Sequence, residues 1–581
     1  MGEDELQKMN AARAAATDAI VNSASEKRLV VAGPGTGKSF TFRKALAKAI
    51  KDAGGGRGLV LTFIRNLVAD LERDLGDLAD VFTLHGYCKH LMHSHDVAGL
   101  ASGDYYPPLL ELVIEDLLLV DGRTITPEEI NEHLHQLDTN DDVIDVTLGR
   151  ADYYNAVSHN DVVYRVLRHF EAAPDTIPAY PLVVVDEFQD FSRLEAAFIA
   201  LLATKSPVLI AGDDDQALYK NLKYASPDFI RELATDGSHD RFELPFCSRC
   251  TEVVVAAVND VIASAAAAGL LQGRLLKEFR CFLPDKKTDS DANPKVIHVE
   301  SSSGNTDYIG HYIAQQIARI PAEDIERSRE KGYPPALVIG PNPFLGRAFK
   351  VVQERFPQAR IKKSDQPGVD ILDGYRRIAA DGRSRLGWRI VIACSPFDGW
   401  QTALKEVLEV GDEIYDHLPP EYRDEHLETA RIAADMIETG TLTDAEEQKL
   451  CRATGRSIEE VRVLLKIADP ADLADWPAQA DDGDAVTPDI LFTTLVGSKG
   501  LSAEHVFIVG MNNKHFPRKP SAITDDEVCS LIVALSRTRT RCHVISCKWF
   551  GRGFLSPSVF LNWISPHLEK LKVDKTYDFS E

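Results

Sequence analysis

Over the first 95 residues, short apolar runs alternate with longer stretches in which apolar residues recur every three or four positions. Leu29–Ala32, Gly58–Phe63 and Asp80–Thr83 read as buried strands with helices between them, the pattern of a parallel sheet with helical crossovers. From about Asp96 to Asp175 the β-like runs vanish, and helical spacing takes over in Leu109–Leu119 and Val162–Phe170. Strands resume at Pro181–Val185 and Ser206–Ile210, followed by Asp186-Glu187 and by Gly212-Asp213-Asp214-Asp215-Gln216. Carboxylates at the C-terminal ends of parallel strands stand where open α/β sheets bind ligands. The polar stretch Asp285–Asn293 is expected to be a loop. A second strand set begins with Lys295–Val299 and Pro335–Ile339 and returns at Ile490–Thr494 and His505–Gly510. Between them, about Gln366 to Asp484 reads as largely helical, with a capping signature at Thr443-Asp-Ala-Glu446. The pattern predicts an α/β protein of two lobes, each interrupted by a mainly helical insertion.

Composition adds limits rather than identity. A chain of 581 residues has room for about three to five ordinary domains, and no apolar run approaches the roughly 18 residues of a membrane span. The start, Met-Gly-Glu-Asp-Glu-Leu, is acidic and has no signal-peptide core, so a cytoplasmic protein with no membrane partner is expected. Nine scattered cysteines suit a reducing compartment and buried thiols. Cys247-x-x-Cys250 and the group Cys88, His90, His93 and His95 match no standard zinc spacing. A net charge of −24 argues against adhesion to nucleic acid through the whole surface, and leaves a local basic groove open.

The sharpest chemical signal is Ala32-Gly33-Pro34-Gly35-Thr36-Gly37-Lys38-Ser39 behind Leu29-Val30-Val31. Strand, glycine loop and helix build a phosphate cradle: backbone N–H groups wrap the phosphates, Lys38 reaches the β/γ oxygens and the Ser39 hydroxyl is placed for Mg²⁺. By itself this loop fits a kinase, a GTPase or a transporter ATPase. Phosphoryl transfer also needs one carboxylate for Mg²⁺ and another for the attacking water, and Asp186-Glu187 supplies both, with Gln216 on the next strand placed to sense a γ-phosphate.

Asp186-Glu-Phe-Gln-Asp190 and Gly212-Asp-Asp-Asp-Gln-Ala-Leu-Tyr219 resemble motifs II and III of the UvrD/Rep-type superfamily 1 helicases. Leu61-Thr-Phe-Ile-Arg-Asn66 resembles motif Ia and Phe82-Thr-Leu-His-Gly-Tyr87 motif Ib. Leu244-Pro-Phe-Cys-Ser-Arg249 resembles motif IV, Thr494 through Lys499-Gly-Leu501 motif V, and Val533-Ala-Leu-Ser-Arg537 motif VI. The resemblance implies two RecA-like P-loop lobes: 1–95 with 171–242, and 243–365 with 485–581. The helical insertions would be 96–170 and 366–484. It implies ATP and Mg²⁺ as ligands, with Asp186 and Ser39 on the metal, Glu187 on the water, and Gln216, Arg249 and Arg537 around the γ-phosphate. Planar guanidinium forks match the charge that spreads over the equatorial oxygens.

The resemblance further implies a single-stranded or tailed DNA partner contacted by Phe63, Arg65, Thr83, His85, Tyr87, Tyr219 and Lys499; Lys220 and Lys223, by their charge alone, are further candidates for phosphate contact, with a solvated face as the alternative. Stacking aromatics beside basic groups are the usual means of holding a strand without reading its sequence. The chain departs from the family pattern around the base. Arg13 stands where a glutamine reads adenine, Phe40 follows the loop where arginine is frequent, and Ser248 replaces a stacking tyrosine. In motif V, Val496 and Ser502 replace a histidine and a glutamate, with Glu504 nearby. Three readings follow: an ATP-driven 3′ to 5′ translocase or helicase; a DNA-stimulated ATPase subunit regulating a partner nuclease in repair or antiphage defence; and an interaction scaffold with a vestigial ATPase.

Overall fold

The computed structural model describes residues 3–93, 103–137, 142–219, 224–302, 307–362, 368–466, 490–551 and 553–579. The chain forms two compact units, one of Met1–Leu84, Pro178–Lys363 and Asp481–Glu581, the other of His85–Ile177 and Ser364–Ala480.

The first unit holds two parallel sheets. One has six strands: β1 (Lys27–Ala32), β2 (Gly58–Thr62), β3 (Ala79–Thr83), β4 (Val183–Asp186), β5 (Val208–Gly212) and β6 (Asp240–Leu244). Their order is β3-β2-β4-β5-β1-β6. Leu29, Val30, Val183, Val184, Val185, Val208 and Leu209 are all fully buried, as expected when helices cover both faces of a parallel sheet. The helix Lys38–Asp52 places Phe42, Ala45 and Leu46 on one face, packed with Val30, Val60 and Leu209; the three- and four-residue spacing makes that stripe.

The other sheet has seven strands: β7 (Val296–Ser301), β8 (Ala336–Ile339), β9 (Arg360–Ile361), β10 (Ile490–Thr493), β11 (Ala503–Val509), β12 (Thr538–Cys547) and β13 (Leu568–Val573), ordered β9-β10-β8-β11-β12-β7-β13. Side chains alternate between its two cores. Leu337, Ile339, Val506 and Ile508 face Val254, Val258, Leu531 and Val533, whereas Val338, Phe507 and Val509 face Tyr312, Ile313 and Phe344, the period-two consequence of the pleat.

The stretch expected to be a loop, Asp285–Asn293, lies almost wholly in the helix Leu283–Ala292, with Pro284 in its first turn. Its polarity is misleading because its inward side is bonded rather than apolar. Lys286 donates to the Arg539 carbonyl at 3.0 Å, and the Ser290 hydroxyl accepts from the Glu252 N–H at 2.9 Å.

The second unit is helical. It includes Leu109–Asp121, Asp142–Tyr153 and His159–Ala172 from its first segment, and Ile371–Ala380, Arg385–Cys394 and Pro420–Thr439 from its second. Both segments contribute to its interior: Arg389 Nε meets Asp116 Oδ1 at 2.8 Å, both side chains fully buried, and the Tyr154 hydroxyl donates to Asp116 Oδ2 at 2.6 Å. The capping box at Thr443 forms, with the Thr443 N–H donating to the Glu446 carboxylate at 2.9 Å and the Glu446 N–H to the Thr443 hydroxyl at 3.4 Å. Among the described residues no helix is long and apolar enough to cross a membrane.

Candidate functional site

β1 ends at Ala32, and residues 33–37 turn the chain into the helix that begins at Lys38. Gly35 and Gly37 take φ of +68° and +87°, values that cost an L side chain strain. Space also excludes one at Gly35, where a Cβ would come within 2.3 Å of Arg249 Cβ. The Ser248 N–H donates to the Gly35 carbonyl at 2.9 Å, so the segment carrying Arg249 lies directly against the phosphate loop.

At the loop's inner end, Lys38 Nζ stands 2.9 Å from Asp186 Oδ1 and 2.6 Å from Glu187 Oε1. Burial works against the ammonium, but the two carboxylates outweigh it and hold its pKa above the ordinary range. Burial likewise works against the Glu187 charge, and Lys38, Lys499 and the Gln189 amide overcome it, so this carboxyl lies well below its usual range. Burial dominates at Asp186 and raises it. Glu187 takes a left-handed backbone, φ +58°, a strained conformation for glutamate of the kind that clusters at functional sites.

Gln216 follows β5 and is held from two sides. Its amide donates to Asp213 Oδ2 at 2.7 Å, and its Oε1 accepts from Arg537 Nη2 at 3.2 Å. Asp213 is itself fixed by Lys277 at 2.6 Å, which also meets Asp215 at 2.6 Å, while Arg274 grips Asp215 at 2.6 Å and Arg231 meets Asp214 at 2.9 Å. Asp213, Asp214 and Asp215 are the one His/Cys/Asp/Glu group among the described residues dense enough to suggest a metal. The three cations already neutralise it.

Three guanidinium groups contributed from around the second sheet enter the same cleft, about 710 Å³ and lined by Lys38, Asp186, Glu187, Gln216, Arg249 and Arg537. Arg537 donates to the carbonyls of Val533 (2.9 Å) and Leu501 (3.1 Å), besides Gln216. Arg539 lies with Cζ 3.8 Å from the centre of the Tyr333 ring, and its Nε donates to the Ser502 hydroxyl at 3.0 Å. Among the described residues, none of Arg249, Arg537 and Arg539 has a carboxylate within ion-pair distance. Burial, and then repulsion from Arg249, push both Arg537 and Arg539 below the ordinary arginine range. The Ser248 hydroxyl, lining the same cleft, is buried with no hydrogen-bond partner among the described residues. A glycine cradle, an unneutralised cationic wall, an orphaned hydroxyl and a carboxylate pair fit a polyphosphate accompanied by a hard cation.

Arg13, from the helix Glu3–Asn22, reaches this loop. Its Nη2 lies 3.6 Å from where a Gly37 Cβ would be, its Cζ stands 4.3 Å from the centre of the Phe282 ring, and Nη1 pairs with Asp285 at 3.1 Å. Phe40 is 54% exposed, with Lys44 5.0 Å above its ring.

The residues expected on a DNA track divide. Phe63 and Tyr219 pack ring to ring at 5.0 Å, and Thr83 closes β3 beside Thr62. Arg65 opens the helix Arg65–Leu75, but its side chain, like Lys220 and Lys223, falls outside the described positions. Lys499 is not presented to solvent. It is 2% exposed, its ammonium ion-paired with Asp190 and donating to the Gln216 carbonyl at 2.6 Å, so it ties the segments after β4 and β5 together. In the second unit, His85 stacks on His159 with ring centres 3.9 Å apart. Tyr87 is 1% exposed and occupies a core position with no open face for a base. Glu504, near the expected motif V glutamate, is buried too: it accepts from Arg327 at 2.7 Å and from the Tyr333 hydroxyl at 2.7 Å.

Arg539, Lys277 and Arg274 escape the sequence reading. The alternation Arg537-Thr-Arg539-Thr-Arg541 signals a strand with a basic side, whereas nothing local marks Lys277, which acts from a stretch with no regular element.

A family model described as an AAA domain matches residues 16–221. DNA helicase II of Haemophilus influenzae is 24% identical over 278 residues, 41% of this chain and 38% of that protein. ATP-dependent DNA helicase PcrA of Staphylococcus epidermidis is 22% identical over 654 aligned positions, 93% of this chain and 84% of that protein; the Staphylococcus aureus PcrA is 22% identical over 653, with the same coverage. The chain is thus similar to DNA helicases of the UvrD/Rep-like kind. The matched AAA segment contains the loop, Lys38, Asp186, Glu187 and Gln216. Arg249, Arg537 and Arg539 lie beyond it and line the same cleft.

Proposed function

We propose that this chain is an ATP-driven motor that moves along single-stranded DNA and separates duplex strands. The reading rests on three arginines that have no carboxylate partner among the described residues and face a glycine loop whose own Lys38 is held by Asp186 and Glu187. With Arg537 buried and Arg249 and Arg539 half-buried, like charges so gathered are retained at a cost, and a nucleoside triphosphate is the ligand that neutralises them. DNA as the track rests on the resemblance and on relatives named as DNA helicases, and the 3′ to 5′ direction rests on the resemblance alone.

The loop N–H groups and Lys38 hold the phosphate chain. Lys38 then exchanges part of its contact with Glu187 for phosphate oxygens, and Glu187, ionised well below neutral pH, takes the proton of the attacking water. Ser39 and Asp186 would hold Mg²⁺, which supplies charge neutralisation at the phosphate oxygens. Gln216 and Arg537, already bonded to each other, steady the terminal phosphate, and Arg249 adds charge from against the loop. Because Arg537 and Arg539 stand at the start of β12 in the second sheet, hydrolysis and release shift that sheet's hold on the first, the step a motor converts into movement.

Strand displacement by the protein alone on 3′-tailed, 5′-tailed and blunt duplexes tests this reading. Separation of the 3′-tailed duplex only is expected. Displacement that appears only with a nuclease partner present contradicts it in favour of a regulatory ATPase subunit.

A further inference from the structure

We propose that Arg539, braced by Tyr333 and Ser502, is a nucleotide-contacting residue that holds the inner phosphates, the two that ADP and ATP share. This deepens the ATPase reading and rests on it.

The side chain is built as a fixed donor. Its guanidinium lies on the Tyr333 ring, with Cζ 3.8 Å from the ring centre, and Nε is committed to the Ser502 hydroxyl at 3.0 Å. The support is itself anchored: the Tyr333 hydroxyl donates to Glu504 Oε1 at 2.7 Å, and Arg327 holds Glu504 at 2.7 and 2.9 Å. The two terminal nitrogens of Arg539 have no hydrogen-bond partner among the described residues, and the residue lines the cleft together with Ser39, Phe40, Ser502 and Tyr333. A stacked arginine with free terminal donors is a preorganised anion fork, from which little rotamer freedom remains to be lost on binding.

Charge selects a phosphate over a sugar hydroxyl or a base. Within ion-pair distance Arg539 has no acid, and Arg249 repels it; Glu504 is already satisfied by Arg327, Tyr333 and Thr540. Position selects the inner end of the chain. Arg537 bonds Gln216 and lies in the field of Glu187, the hydrolytic end. The charges around Arg539 are Arg249 and Glu504 instead, and Arg249, against the loop at Gly35, stands within electrostatic reach of both. The three guanidinium groups thus flank successive parts of one phosphate chain.

The test is equilibrium binding of fluorescent ADP and of a non-hydrolysable fluorescent ATP analogue to the full chain, with Arg539→Met, Arg539→Lys and Arg537→Met beside the wild type. Arg539→Met is expected to raise Kd for both nucleotides by the same factor, about tenfold or more, with the nucleotide-free melting temperature unchanged and partial recovery in Arg539→Lys. Arg537→Met is expected to weaken the ATP analogue while ADP binding stays as it was. An ADP Kd in Arg539→Met within twofold of wild type would overturn the proposal, as would weakening confined to the ATP analogue, which would place Arg539 at the γ-phosphate. Wild-type protein that binds neither nucleotide would overturn the ATPase reading together with this one.

Discussion

Glu187 combines three constraints on one side chain: a left-handed backbone, an ion pair with Lys38 at 2.6 Å and a hydrogen bond from the Gln189 amide at 2.7 Å. Such a carboxylate stays ionised and aimed, which is what a water-activating group requires. Glu187→Gln is therefore expected to bind ATP within a few-fold of wild type, while turnover falls by about 100-fold or more. Lys38→Ala is expected to lose turnover and to weaken triphosphate binding as well. Steady-state hydrolysis alongside fluorescent-nucleotide titration checks both, and full turnover in either variant contradicts the roles given to them. These residues could be read in the sequence because each sits in a contiguous motif whose spacing is imposed by one strand and one turn. Lys277 and Arg539 could not be read the same way. Their partners, Asp213 and Tyr333, are 64 and 206 positions away in sequence, and only the packed fold brings them together.

Among the elements, the buried parallel strands were the most legible. A strand covered on both faces must be apolar throughout, so Val183–Asp186 and Val208–Gly212 announce themselves within a residue or two of their ends. The helix Leu283–Ala292 was not legible, since its inward side uses Lys286 and Ser290 as hydrogen-bonding groups, and hydropathy registers only apolar faces. Strand β11 shows the same device with a measurable consequence. Glu504, 1% exposed, works against its burial through hydrogen bonds from Arg327, Thr540 and Tyr333, and its pKa falls from 4.5 to about 2. A carboxyl lowered in the folded state contributes stability that is complete above its unfolded value and is lost as pH falls towards the folded one. The wild type should therefore exceed Glu504→Gln in urea resistance by a margin that is constant above about pH 5 and shrinks between about pH 4.5 and 2; up to about 3 kcal/mol of it is pH-dependent. A margin that does not change with pH would show that Glu504 titrates in the folded protein as it does in the unfolded chain, and one that shrinks as the pH rises would show that it is held neutral.

For the whole molecule, the order of motifs along the chain foretold two sheets but not how the rest would be partitioned. The helical stretches of residues 85–177 and 364–480 form one compact unit, secured by contacts such as Arg389 with Asp116 across 273 positions, and no local pattern encodes a pairing of that span. Both sheets belong to the other unit, and their shared cleft gathers unneutralised arginines inside a protein whose net charge is −24. That contrast fits a molecule that draws in polyanions at built sites and repels them elsewhere. DNA engagement is then expected to be specific to such sites and to weaken steeply with salt, as phosphate contacts do. The most direct measurement is the steady-state ATP hydrolysis rate of the wild-type chain at low salt, with and without a single-stranded oligonucleotide, and with Glu187→Gln as the background. Clear stimulation by the oligonucleotide is expected, abolished in Glu187→Gln. A rate unchanged by single-stranded DNA would contradict the motor, and hydrolysis that persists in Glu187→Gln would contradict the site.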